Sequence, residues 1–157
     1  MSSAGNPAAA RLSQAVRAEL YRLCELAYPL EACGALFGQG DGEQAPWHIT
    51  RVRPAHNQHG DDQRRRYLVA PDFQASAERE ARHAGEQVLG YYHSHPDGPA
   101  LPSHFDREHA WPGYLYVICS VVKARAADMT LFALAGPVGP FCQVRAEPAL
   151  PFNPEVP

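Results

Sequence analysis

The segment from residue 93 to residue 106 reads H-S-H-P-D-G-P-A-L-P-S-H-F-D. If its start is a strand, His93 and His95 lie two positions apart, project to the same face and can share one ion, while Ser94 faces the other way. Pro96, Pro99 and Pro102 hinder any continuation of a strand ladder, so the chain is expected to turn back and lay a helix carrying Asp106 over the histidines. Two imidazoles and one carboxylate leave a fourth tetrahedral position for water, the catalytic rather than the structural form of a zinc site. Zinc lowers the pKa of such a water toward roughly 7. Hydrolysis then also needs a carboxylate outside the ligand set to accept the water proton and hand it to the leaving amine.

Upstream, Glu31 sits in P-L-E-A-C-G-A-L-F-G. That context, followed by H-x-H, seven residues (96–102), Ser103, two residues and Asp106, resembles the signature of the JAMM/MPN+ (Mov34/PAD-1-like) zinc metalloproteases, in a small prokaryotic-type form. The resemblance extends over about residues 12–145. It implies one zinc ion per chain with a bound water, held by His93, His95 and Asp106, with Glu31 as general base and then acid and Ser103 steadying the oxyanion. It also implies the JAMM/MPN, cytidine-deaminase-like layered architecture and a peptidase or isopeptidase activity. Little chain separates Asp106 from the next expected strand, so the implied partner is a ubiquitin-like or sulfur-carrier protein whose Gly-Gly tail ends at the scissile amide. An extended tail of that kind can lie along a strand edge.

Each of these residues also has a structural reading. Ser103 and Asp106 fit a capping box, which can coexist with ligation. Glu31 could be a solvated charge beyond a helix end, and Cys33 a buried packing residue rather than a thiol nucleophile. His104 and His109 have ligand chemistry, but a helix places His104 on a different face from Asp106. His56 and His59, with Asp61 and Asp62, read as a solvated loop, as do Arg64, Arg65 and Arg66. Trp111, Tyr114 and Tyr116 suit core and groove walls. A non-catalytic MPN-fold binding scaffold is the alternative function, and it is expected to lack one or more of the five functional positions. A zinc nucleobase deaminase is disfavoured because no P-C-x-x-C follows any H-x-E.

The elements that must position these groups can be read from periodicity. Leu12, Val16, Leu20, Leu23 and Ala27 recur at helical spacing and Pro29 stops the run, so a first helix ends just before Glu31. Residues 33–38 and 47–52 read as a hairpin around Q-G-D-G, ended by Pro54. Residues 67–70 read as a brief strand. A second helix opens at Pro71 and Asp72, closes at Gly85, and buries Phe73, Ala77, Ala81 and Ala84. Further strands are expected at 87–95, 114–122, 130–135 and 141–144, with a short helix from Ser103. Interspersed helices and strands with late hairpins predict an α/β fold, α+β in its mixed sheet flanked by helices, rather than a doubly wound parallel sheet.

A chain of 157 residues with 45% hydrophobic content supports one core. Residues 1–10 read as a flexible amino end, 11–147 as the metallopeptidase domain and 148–157 as a proline-rich tail. A net charge of −3 gives no broad basic surface, so nucleic acid is not an expected partner. No stretch approaches the roughly 20 apolar residues that cross a bilayer, and the first ten residues lack a secretory pattern, which predicts no membrane partner and a cytoplasmic address. Cys24, Cys33, Cys119 and Cys142 form no C-x-x-C pair and read as buried reduced thiols.

Overall fold

Ser13 starts the first helix: its hydroxyl accepts the Val16 N–H at 3.2 Å, satisfying one of the amides that a helix start leaves open. The computed structural model describes residues 9–56, 69–137 and 139–148. In chain order the elements are β1 (Ala9–Leu12), α1 (Gln14–Ala27), β2 (Cys33–Gln39), β3 (Trp47–Ala55), α2 (Pro71–His83), β4 (Gln87–Pro96), α3 (His104–His109), β5 (Leu115–Val122), β6 (Arg125–Leu134) and β7 (Phe141–Glu147). The strands form one mixed sheet in the order β1-β3-β2-β4-β5-β6-β7, and β1 pairs in parallel with both β3 and β7, so the sheet closes on itself.

The mixed α/β expectation holds, with helices on both faces of the sheet. Val16, Leu20 and Cys24 of α1 are buried at helical spacing and join Leu36, Ile49, Tyr92, Val117, Cys119 and Leu131 in the main core. On the other face Ala77 and Ala81 of α2 pack on Ala35, Phe37 and Val88. Glu80 of α2 pairs with Arg51 at 2.5 Å and Arg53 at 2.7 Å, while the Arg51 guanidinium lies 4.0 Å over the Phe37 ring. The ionic groups are about one-third exposed, so they orient α2 more than they hold it there.

Several expectations are corrected. Ala9 and Ala10, read as part of a flexible end, belong to β1, and Leu12 lies in that strand rather than in the helix. Four residues rich in alanine give too little alternation to signal a strand, and the parallel partners that stabilise them are distant in sequence. Val69 and Ala70 are in neither strand nor helix, and Tyr67 and Leu68 lie outside the described residues. β3 runs past Pro54 to Ala55, because Pro54 pairs with Gly34 on one side only and meets no described strand on the other. Ala84 is the exposed cap of α2 rather than part of its buried stripe. Gly85 does end that helix with φ 68°, a left-handed conformation suited to glycine, and the Glu86 N–H returns to the Ala81 carbonyl at 2.8 Å. Cys142 is exposed, whereas Cys24, Cys33 and Cys119 are buried, and all four are free thiols. Pro148, placed in the tail by the sequence reading, accepts a hydrogen bond from Arg17; residues 149–157 lie outside the described residues.

Candidate metal centre

β4 lies between antiparallel β2 and parallel β5 and supplies the two histidines. Its alternation sends Tyr92 into the main core, and Tyr91 to the face covered by α2. By the same two-residue period His93 and His95 follow Tyr91. Their Nε2 atoms are 3.1 Å apart. Beyond Pro96 the chain reverses through Asp97, a non-glycine residue at φ 54°. Its carboxylate supports the unusual conformation by accepting the Lys123 N–H at 2.9 Å and the Tyr28 hydroxyl at 2.7 Å. The buried Ser120 hydroxyl donates to the Gly98 carbonyl at 2.5 Å. His95 Nδ1 donates to the Pro99 carbonyl at 2.8 Å, which leaves Nε2 of the neutral ring as the lone-pair atom facing the site.

Asp106 reaches the histidines from α3. Ser103 caps that helix: its hydroxyl accepts the Asp106 N–H at 3.1 Å, and the Ser103 N–H donates to Asp106 Oδ2 at 2.8 Å. The capping reading is thus correct, and the same side chain meets both rings. Asp106 Oδ1 lies 3.0 Å from His93 Nε2, and Oδ2 lies 3.1 Å from His95 Nε2. One ligand atom from each of His93, His95 and Asp106 falls within 4.8 Å of the others. Donors around a tetrahedral zinc with bonds of about 2.0 Å stand roughly 3.3 Å from one another, so the spacing and the N, N, O donor set both fit zinc.

Electrostatics favour the ligand forms of two of the three groups. Burial by itself would raise the Asp106 carboxyl, but hydrogen bonds from His93, His95 and the Ser103 amide outweigh it and hold the group well below the usual carboxylate range. Burial lowers the pKa of His93 despite its contact with Asp106, which keeps that ring neutral. His95 is also opposed by burial, but Asp106 and the Pro99 carbonyl shift it upward, so a proton competes for its Nε2 when no metal is present.

Glu31 is buried, and its charge is felt at both His95 and Cys33. The residue after it, Ala32, is bonded to Ser94 through backbone and side chain, which brings the end of the α1–β2 connection to the histidine strand. Ser103 is half-buried at the start of α3. Cys33 pairs with His93 in the β2–β4 register, but burial pushes its thiol up to about 12, so it remains protonated and is no nucleophile.

His104 is exposed and pairs with Glu108 at 2.9 Å, away from the cluster, and His109 is exposed and stacked on Phe105 at 4.0 Å. His56 is exposed at the end of β3, whereas His59, Asp61, Asp62, Arg64, Arg65 and Arg66 lie outside the described residues. Tyr116 is buried, and Trp111 is 69% exposed. Both line a groove of about 400 Å³ with Val69, Gln74, Tyr91 and Phe105. Tyr91 lies two residues before His93 on β4 and Phe105 adjoins Asp106 on α3, so the groove is built on the same two elements as the cluster. The residues that the motif did not reveal are Ser94, Asp97 and Ser120. Only Ser94 left a signal, its alternation away from the histidines.

Residues 13–134 match the family described as prokaryotic homologs of the JAB domain. The match spans most of the chain, and this protein belongs to that family. It is 39% identical over 93 residues to a Haloferax volcanii protein named desampylase, an alignment that takes in 59% of this chain and 63% of that protein's length. The fold is similar to the solution structure of a Desulfitobacterium hafniense protein, with a TM-score of 0.74, 27% identity, and 87% of this chain and 90% of that one covered. A Salinibacter ruber protein, also solved in solution, gives a TM-score of 0.63 at 34% identity, with 94% of each chain covered.

Proposed function

We propose that this protein is a zinc-dependent isopeptidase that hydrolyses the amide bond following the Gly-Gly tail of a ubiquitin-like, sulfur-carrier-type protein. The observation that carries the reading is the convergence of His93, His95 and Asp106 within 4.8 Å, with buried Glu31 close enough to influence His95. The similarity to a protein named desampylase supports an activity that removes a protein modifier. A cytoplasmic address is consistent with four free thiols, and no described helix is long and apolar enough to cross a membrane. The packing of α1 and α2 on opposite faces of the sheet supports a layered arrangement of the cytidine-deaminase-like kind.

His93, His95 and Asp106 would hold the ion. Zinc there supplies a Lewis acid that makes water nucleophilic near neutral pH. Glu31, outside the ligand set, accepts the water proton and returns it to the leaving nitrogen, so the amine departs neutral. Ser103 uses its hydroxyl oxygen to accept the Asp106 amide, and its hydroxyl hydrogen can donate to the oxygen that gains charge as the carbonyl becomes tetrahedral. One such donor contributes on the order of 2.7 to 4 kcal/mol. The groove beside Tyr91 and Trp111 offers an apolar wall for an extended tail, and burial of its glycines in a narrow approach would need no side-chain space.

The test is hydrolysis of a Gly-Gly-tailed carrier adduct by the zinc-loaded protein, beside its Glu31→Gln variant. The variant is expected to keep its zinc and lose about 100-fold or more in kcat. Equal rates in both would remove Glu31 from the mechanism. Undiminished cleavage after chelation and verified zinc removal would refute the metal-dependent reading itself.

A further inference from the structure

Ser94 separates the two histidines in sequence but points to the opposite face, where it is fully buried. Its backbone N–H donates to the Ala32 carbonyl at 3.0 Å, and its hydroxyl accepts the Ala32 N–H at 2.8 Å. Ala32 directly follows Glu31. The first register pair of β2 with β4 is Cys33 with His93, so the Ser94–Ala32 contact extends that pairing by one residue beyond the formal end of β2. On its other side Ser94 is in register with Cys119 of β5, deep in the main core. The anchoring strand is therefore fixed from both edges, and the segment that carries Glu31 is tied to it at one peptide.

We propose that Ser94 is a positioning residue for Glu31: by accepting the Ala32 N–H, its hydroxyl holds the Glu31 carboxylate beside the histidine cluster in the orientation needed to exchange a proton with water. This rests on the reading of Glu31 as the proton carrier. The chemistry favours a hydroxyl here. Alanine removes the acceptor and leaves the Ala32 N–H of a buried segment without that partner, whereas threonine retains the oxygen. Distance tolerance is small in such a site, since a misplacement of about 1 Å can cost roughly 100-fold in rate. The metal ligands themselves do not depend on this bond, because His93 and His95 are held by the β4–β5 pairing and by Pro99, and Asp106 by Ser103.

The experiment compares zinc-loaded wild type, Ser94→Ala, Ser94→Thr, Glu31→Gln and the Ser94→Ala/Glu31→Gln double variant on the Gly-Gly-tailed adduct, with zinc content and Ala32 amide hydrogen exchange measured for each. Ser94→Ala is expected to lower kcat by about 10-fold to 100-fold at unchanged KM and full zinc content, and Ser94→Thr to restore most of it. In the Glu31→Gln background, Ser94→Ala should add little to the loss, because the two residues act as a unit. Ala32 amide exchange should accelerate in Ser94→Ala while the β5 amides stay protected. A full additional loss in the double variant, or an Ala32 amide equally protected in Ser94→Ala, overturns the proposal. If wild type cleaves no adduct, the isopeptidase reading fails, and the exchange comparison still decides whether Ser94 holds the Glu31 segment.

Discussion

At the level of single residues, the two histidines would not contribute alike to metal binding. Burial keeps His93 neutral, while Asp106 and the Pro99 carbonyl raise His95, so in the metal-free protein His95 is the ring that holds a proton more readily. Zinc binding there would have to displace it. Zinc affinity is therefore expected to fall as pH drops through the raised His95 pKa, with His95 releasing up to one proton per zinc on the acid side of that pKa and less on the alkaline side, where a zinc-bound water would begin to contribute. Calorimetry in two buffers of different ionisation enthalpy reads that stoichiometry, and the absence of proton release on the acid side of the His95 pKa would contradict the assignment. Asp106 adds nothing to this dependence in that range, since its carboxyl is held far below it. The cluster was legible in the sequence because a metal site would restrict both residue type and spacing: the convergence of His93, His95 and Asp106 was expected before any fold was known. Ser94, Asp97 and Ser120 were not, because a hydroxyl or carboxylate that bonds a distant backbone group has no fixed spacing from its partner.

Among the elements, α1 and α2 are secured by different forces. Leu20 of α1 is fully buried in the main core, whereas Glu80 of α2 joins an ionic network that solvent reaches. Leu20→Ala is expected to destabilise the fold by about 2 to 5 kcal/mol, and Glu80→Gln by less than about 1 kcal/mol after solvent screening is allowed for. Urea denaturation measures both, and a larger loss for Glu80→Gln would reverse the ranking. The sequence revealed α1 because apolar residues at a 3.6-residue period have one simple structural solution. It revealed β2, β4 and β5 as apolar runs, but misplaced the end of β3, since Pro54 breaks a ladder only where its nitrogen faces a partner strand. Leu12 fits the period of α1 by coincidence and instead belongs to the strand before it.

For the whole molecule, closure of the sheet was hidden from the sequence. It depends on β1, a four-residue strand, meeting β3 and β7 in parallel from opposite ends of the chain. Deleting residues 1–12 removes two strand interfaces and the core contributions of Ala10 and Leu12, so a marked fall in Tm and concentration-dependent association in size-exclusion chromatography are expected. A monomeric, equally stable truncation would show that β1 is dispensable. Zinc content of the truncated protein is a useful companion measurement, because the His93–His95–Asp106 cluster lies on other elements.

Among the described residues, the side of β3 beyond Ile49 that faces away from β2 has no strand neighbour. It contains Arg51, Arg53 and Pro54. Arg51 and Arg53 are already engaged with α2, so the edge itself is blunted by the proline, which offers an approaching second ribbon no amide to bind. The chain thus carries a built-in guard against runaway cross-β stacking, placed at the gap that the short first strand is unable to fill.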